Sequence, residues 1–182
     1  MAYEERELWD VYDRERRLTG RTHPRGTPLA PGDYHLVVHV AVFNSRGELL
    51  IQRRQPWKQG FPDYWDISAG GSALAGEDSR SAAHRETLEE IGLDLDFSEE
   101  QPRFTYYWEH GFDDYWFLKK DVPADQLKPQ PEEVAEVRWA DEAAVLELVN
   151  EGRFVPYFFI RDIFRLYRGS GAIDEPRNWD HV

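Results

Sequence analysis

The segment Gly71–Leu93, GSALAGEDSRSAAHRETLEEIGL, restricts this chain more than any other stretch. Its punctuation predicts a helix over Asp78–Ile91, with Asp78 a fitting N-cap and Gly92 fitting as the residue that ends it. At about 100° per residue, Glu86, Glu89 and Glu90 fall at i, i+3 and i+4 on one face. Ala83, Thr87 and Ile91 make a second stripe with Leu88 beside it, so one side packs while the other carries three carboxylates. Like charges at this spacing cost an isolated helix roughly 0.2–0.5 kcal/mol per pair. A hard divalent cation would offset that cost, because Mg²⁺ prefers oxygen ligands. The competing reading is a solvated acidic face, which surface helices carry routinely. What favours the ion is the pair Gly70-Gly71, following a short apolar strand, since glycines let backbone groups approach a ligand closely. Arg85 is placed to orient one carboxylate, and Glu77 either joins the cluster or balances Arg85.

Charge and composition narrow the function classes. Lys plus Arg total 22 against 35 Asp plus Glu, a net charge of −13. That balance argues against a general binder of nucleic acid polymers, whose affinity comes from phosphate neutralisation, and against docking on anionic lipid. A phosphorylated small molecule would need a local cationic patch or a metal ion. With 41% hydrophobic and 14% aromatic residues, the 182-residue chain is too apolar to stay disordered and has the length of one domain. There is no cysteine, which removes disulfides, thiolate metal sites and a thiol nucleophile. Met1–Trp9 is charged and lacks a signal core, and no run nears the roughly 18 apolar residues of a membrane span. The expected location is cytoplasmic.

The rest of the chain reads as a mixed sheet flanked by helices, an α/β or α+β architecture. One domain over 1–182 is expected, with a core at about 34–168, an N-terminal hairpin at 8–22 and a poorly ordered tail at 169–182. Leu8–Tyr12 and Leu18–Thr22 flank a charged turn. Leu36–Phe43 and Glu48–Arg53, joined by Asn44-Ser45-Arg46-Gly47, give the strongest hairpin signal. A short strand is expected around Trp65–Ser68. Two more are expected at Phe104–Trp108 and Tyr115–Lys119, around a turn at Gly111-Phe112-Asp113-Asp114. A strand at Val134–Trp139 and helices at Glu142–Asn150 and Tyr157–Tyr167 complete the pattern.

Gly71, Glu77, Arg85, Glu86, Glu89, Glu90, Gly92 and Leu93 together resemble the Nudix box: G, five residues, E, seven residues, then R-E-apolar-x-E-E-x-G-apolar. One apolar position is Thr87 here, which removes no ligand. The resemblance implies the Nudix fold and a hydrolase that cleaves a diphosphate bond in a nucleoside di- or triphosphate or a related nucleoside derivative. It implies Mg²⁺ or Mn²⁺ held by Glu86, Glu89 and Glu90 with the carbonyl of Gly70, and Arg85 and Glu77 as groups that orient those ligands. The general base is then a box carboxylate or one from a loop, where Glu132 and Glu133 are the best placed. Glu86, Glu89, Glu90, Arg85 and Glu133 are thus the catalytic candidates. Dimers are common in this family, so a homodimer is open.

The region ahead of the box, YHLVVHVAVFNSRGELLIQRRQPWKQGFPDYWDISAGG, resembles type I isopentenyl-diphosphate isomerase, a Nudix-fold relative. That resemblance implies that Arg54 and Lys58, with Arg53 adjacent, grip the diphosphate; a guanidinium fork suits phosphate. His35 falls where the isomerase has a metal-ligand histidine, but a lone His opening a strand is more often structural. The isomerase chemistry does not carry over, because Gly70 and Ser72 stand where that enzyme needs a cysteine and a histidine. Phe61, Tyr64 and Trp65, Tyr106, Tyr107 and Trp108, and Tyr157, Phe158 and Phe159 are candidates to stack a nucleobase. His84 and His39 read as structural. The leading reading is an isomerase-like Nudix hydrolase; an isomerase using another acid and a non-catalytic nucleotide-binding module are the alternatives.

Overall fold

A computed structural model describes residues 7–169. The tail expected from Gly169 lies outside the described residues, Gly169 itself excepted. The elements in chain order are β1 (Leu8–Tyr12), β2 (Leu18–Pro24), β3 (His35–Phe43), β4 (Leu49–Arg54), β5 (Trp65–Asp66), β6 (Ala69–Ser72), α1 (Ser79–Ile91), β7 (Phe104–Trp108), β8 (Gly111–Lys119), β9 (Val134–Ala140), α2 (Glu142–Asn150) and α3 (Ile163–Arg168). Strands β1 and β2 form a separate antiparallel ribbon, as expected. The other strands form one mixed sheet in the order β5-β4-β3-β8-β7, with β6 added on β3 and β9 on β4. No helix among the described residues is long and apolar enough to cross a membrane.

The central strand is β3. Its run LVVHVAVF is almost wholly apolar because both faces are covered. Leu36, Val38, Val40 and Val42 face α1, packing with Ala82, Ala83 and Ile91 and with Phe112 and Trp116 of β8. Ala41 and Phe43 face the other way, towards Val145 and Leu148 of α2 and Ile163 and Phe164 of α3. Parallel pairing with β8 runs the whole length of β3, from His35↔Gly111 to Phe43↔Lys119.

The hairpin between β3 and β4 closes at one end only. Phe43↔Leu49 is its sole register pair. Beyond it the strands part: β3 takes β6 as partner, from Val40↔Ala69 to Val37↔Ser72, while β4 takes β9 and β5. Ser68, fully buried, spans the fork. The Val42 N–H donates to Ser68 Oγ (2.8 Å), and Ser68 Oγ–H donates to the Leu50 carbonyl (2.7 Å). One hydroxyl therefore satisfies two backbone groups that a regular ladder would have paired with each other.

Three expected boundaries are corrected. The one strand expected at Trp65–Ser68 is two, β5 at Trp65–Asp66 and β6 at Ala69–Ser72, parted at Ser68, whose hydroxyl is committed to β3 and β4. Gly111–Asp114 is strand, not turn, and the reversal sits at Glu109-His110. Two adjacent aspartates suggest a turn, yet Asp114 is fully buried because Arg16 of the ribbon and the Thr105 hydroxyl (2.6 Å) bind it. The helix expected at Tyr157–Tyr167 is present only as α3, preceded by a 3-10 turn at Ile160–Asp162. Upstream, Phe154 bridges to Trp65, the Val155 N–H donates to the Trp65 carbonyl (2.8 Å), and the Tyr157 hydroxyl donates to Asp66 (2.7 Å). These bonds hold that stretch against β5 and keep it out of a helix.

Ser68→Ala leaves a buried N–H and a buried carbonyl without partners. At about 1–3 kcal/mol for each orphaned group, denaturant unfolding is expected to show a loss of about 3 kcal/mol. A loss under about 1 kcal/mol would mean that the fork does not depend on this hydroxyl.

Candidate active site

Helix α1 begins and ends as its sequence requires. Asp78 and Ser81 form a reciprocal capping box, with the Ser81 N–H donating to Asp78 (2.8 Å) and the Asp78 N–H to Ser81 Oγ (2.9 Å). Gly92 closes the helix in the left-handed region, φ 67°. A β-carbon there would also meet Lys128, so glycine is demanded twice. The stripe differs from expectation in two places: Leu88 is 45% exposed, and Glu90 is buried.

Glu90 sits in the fork between β3 and β4. Gln52 of β4 donates its side-chain N–H to Glu90 Oε2 (2.9 Å), and Gly70 of β6 donates its backbone N–H to the same oxygen (3.0 Å). Each arm of the split sheet thus contributes one neutral donor. Burial, with the Glu86 charge next in size, pushes the Glu90 carboxyl up to about 8, against the opposing pull of these two bonds. Burial likewise raises the Glu86 carboxyl, although Arg85 pulls it down. The Glu86 carboxylate lies against Gly71, where any β-carbon would collide with it.

Arg85 is clamped among acids. It binds Glu77 twice (2.7 and 2.9 Å), Glu86 (2.9 Å), Glu89 (3.1 Å) and the Ser72 carbonyl (3.2 Å). Burial opposes its charge, but Glu77 and Glu86 outweigh burial and raise its pKa. Of the two roles open to Glu77, the structure shows the balancing of Arg85.

These groups line one cavity of about 260 Å³. Glu86, Glu89, Glu90, Arg85 and Gly70 stand on its walls with Arg54, Lys58 and Glu133, so eight of the nine sequence candidates for ligand contact and catalysis share it. Arg53 does not line it; its guanidinium binds Asp63 (2.7 Å) and Glu136 (3.4 Å). Arg54 donates to the Gly60 carbonyl (3.0 Å) and to Asp66 (3.4 Å). Lys58 contacts Glu133. None of the nine aromatics considered for base stacking is among the lining residues. His35 is structural, stacked on Trp9 (centroids 4.2 Å apart), edge-on to Trp108 and donating to the His110 carbonyl (3.1 Å). His39 stacks on Tyr115 (4.6 Å), and His84 binds Asp94 (2.8 Å) at the surface.

Sequence reasoning missed Gln52, Ser68, Gln130 and the ribbon's Glu7 and Arg25. Gln130 lines the cavity and gives its N–H to the Glu90 carbonyl (2.9 Å). Glu7 and Arg25, bound to each other (2.5 Å), line its mouth. A buried-strand pattern that continues through an amide, Gln52 after Leu49–Ile51 in LLIQRR, was the one signal available.

Among the described residues, no three His, Asp or Glu side chains are grouped so as to enclose a metal ion. Glu89 is drawn to Arg85 instead. The donor chemistry nevertheless fits a hard dication: a buried Glu90 whose proton affinity the Glu86 charge raises, all-oxygen donors, and only neutral N–H groups on Glu90.

A pH dependence follows. Glu90 binds its proton up to about pH 8 in the folded chain but only to the ordinary 4.5 when unfolded. Between those values the folded state holds the extra proton, so this group's contribution to stability falls as pH rises and levels off above about 8. In chelator, the melting temperature of Glu90→Gln is expected to gain on the unmodified protein from pH 5 to pH 8. A constant difference would show that Glu90 is not held protonated.

A NUDIX domain family model matches residues 33–158. An uncharacterised Nudix hydrolase of Listeria innocua is 52% identical over 160 residues, covering 88% of this chain and 95% of its own length. An isopentenyl-diphosphate Delta-isomerase of Clavibacter michiganensis is 32% identical over 135 residues, covering 70% of this chain and 66% of the isomerase. A solved structure from Deinococcus radiodurans matches with a TM-score of 0.72 at 22% identity, over 90% of this chain and 100% of its own, a likeness of fold. The chain belongs to the Nudix hydrolase family.

Proposed function

We propose that this Nudix hydrolase is a Mg²⁺- or Mn²⁺-dependent diphosphohydrolase that cleaves a nucleoside di- or triphosphate or a related nucleoside diphosphate derivative. The observation that carries the reading is the pairing, in one cavity, of the carboxylates Glu86 and Glu90 with the cations Arg54 and Lys58. Glu86, Glu89, Glu90 and the Gly70 carbonyl would hold the ion, with Glu89 exchanging Arg85 for it. When bound, a divalent cation neutralises phosphate oxygens and acidifies a water. The chain's own groups do the rest. Arg85, fixed by Glu77, would keep Glu86 beside the ion. Arg54 offers a planar fork and Lys58 a point charge to the phosphates. Glu133, a loop carboxylate on the cavity wall, would accept a proton from water.

The likeness to isomerases supports a diphosphate ligand more than an isomerase reaction. Gly70 and Ser72 both line the cavity as parts of β6, and neither offers the placed acid that alkene protonation needs. Deuterium uptake by isopentenyl diphosphate in heavy water would revive that alternative.

Two experiments test the reading. A panel of nucleotides, nucleotide sugars, dinucleotides and prenyl diphosphates is expected to yield phosphate or nucleoside monophosphate only with Mg²⁺ or Mn²⁺ present. Glu89→Gln/Glu90→Gln is expected to lower that turnover on the order of 10² or more. Independently of turnover, millimolar Mg²⁺ at pH 8 is expected to raise the melting temperature of the unmodified protein and not that of the double variant. Full activity in the double variant, or cleavage that persists in chelator, contradicts the proposal.

A further inference from the structure

Each of the four cations lining the cavity is bound by a carboxylate of the same chain: Arg25 by Glu7, Arg54 by Asp66, Arg85 by Glu77, Glu86 and Glu89, and Lys58 by Glu133. The last pair is unlike the others. Arg25 and Glu7 are both about half exposed. Asp66 is also bound by Tyr157 and the Ile67 N–H, and Arg85 has several partners. Lys58 and Glu133 have side chains only 20% and 32% exposed, and among the described residues neither side chain has another hydrogen bond.

The backbone under this pair is stapled. The Gln55 N–H donates to the Glu133 carbonyl (3.0 Å), the Gln55 side chain to the Pro131 carbonyl (2.7 Å), and the Trp57 indole N–H to the Glu132 carbonyl (3.1 Å). The two side chains can therefore change partners without either loop moving.

We infer that the Lys58–Glu133 ion pair is exchanged on substrate binding: a diphosphate oxygen takes Lys58, and the released Glu133 carboxylate becomes the general base. While a Glu133 carboxylate oxygen accepts from the Lys58 ammonium, that oxygen is not free to accept from a water. A diphosphate carries more charge than a carboxylate, and Lys58 is a compact cation that follows the stronger anion. Glu133 is then left beside an anion that repels it, with its lone pairs open to water. It takes one proton from that water, the water oxygen bonds to phosphorus, and the bridging P–O bond breaks, its electron pair leaving on the departing phosphate. The base thus becomes competent only when the phosphates are in place. The inference rests on the reading of this cavity as a diphosphate site.

The test is a double-mutant cycle read in both binding and turnover. Calorimetry with methylenediphosphonate in Mg²⁺ at low salt is expected to show Glu133→Gln binding roughly three- to tenfold tighter than the unmodified protein, because Lys58 no longer has to leave a partner. Lys58→Gln is expected to weaken binding roughly tenfold. Glu133→Gln added to Lys58→Gln is expected to change nothing further. On the panel compound cleaved fastest, Glu133→Gln is expected to lower KM while kcat falls on the order of 10². The exchange is overturned if Glu133→Gln binds no tighter, if its tightening survives in the Lys58→Gln background, or if kcat is unchanged. Those results leave the diphosphate reading standing; failure of the unmodified protein to bind methylenediphosphonate with Mg²⁺ overturns both.

Discussion

The parting of β3 from β4 is the constraint on which the site depends. A regular hairpin would have paired the two strands along their length and left no room between them. Here the ladder stops after Phe43↔Leu49, and Ser68 carries the two backbone bonds across the fork. The opening is filled by Glu90 of α1, held by Gln52 from one arm and Gly70 from the other. A carboxylate in that position is costly to bury. The cost is local to the site.

A second theme is charge that is neutralised inside the chain. The overall balance is −13, yet the cavity gathers four cations. Each of these is matched by at least one carboxylate of the same chain. On the proposed function, carboxylates would turn to a metal ion and cations to the phosphates of a diphosphate. Binding of both would then be an exchange of partners within a rigid frame, which costs less reorganisation than assembling charges from solvent.

Much of the frame was legible in the sequence. Helix α1 and its caps, the ribbon, α2 to the residue, and the strands either side of the fork followed from periodicity and punctuation. The motif spacing also identified the acids that share the cavity. What misled was local chemistry that tertiary partners override. Asp113 and Asp114 have turn-forming side chains, but Arg16, Thr105 and Trp108 supply enough donors to keep them in a strand. Tyr157–Phe159 has no helix-breaking residue, yet the hydroxyl of Tyr157 is committed to Asp66. Arg53 and Arg54 are adjacent and chemically alike; strand alternation and a register irregularity between them send only Arg54 to the cavity.

By itself the sequence determined the kind of chemistry: which carboxylates share a helix face, that Arg85 stands among them, and where glycine ends the helix, because short-range spacing on one element fixes those relations. Only the tertiary structure decided how the groups are used. Whether Glu90 is buried or solvated, which arginine enters the cavity, and that Lys58 rests on Glu133 are facts about elements far apart in sequence. No local pattern encodes them, since they arise from where a split sheet brings its two arms against one helix.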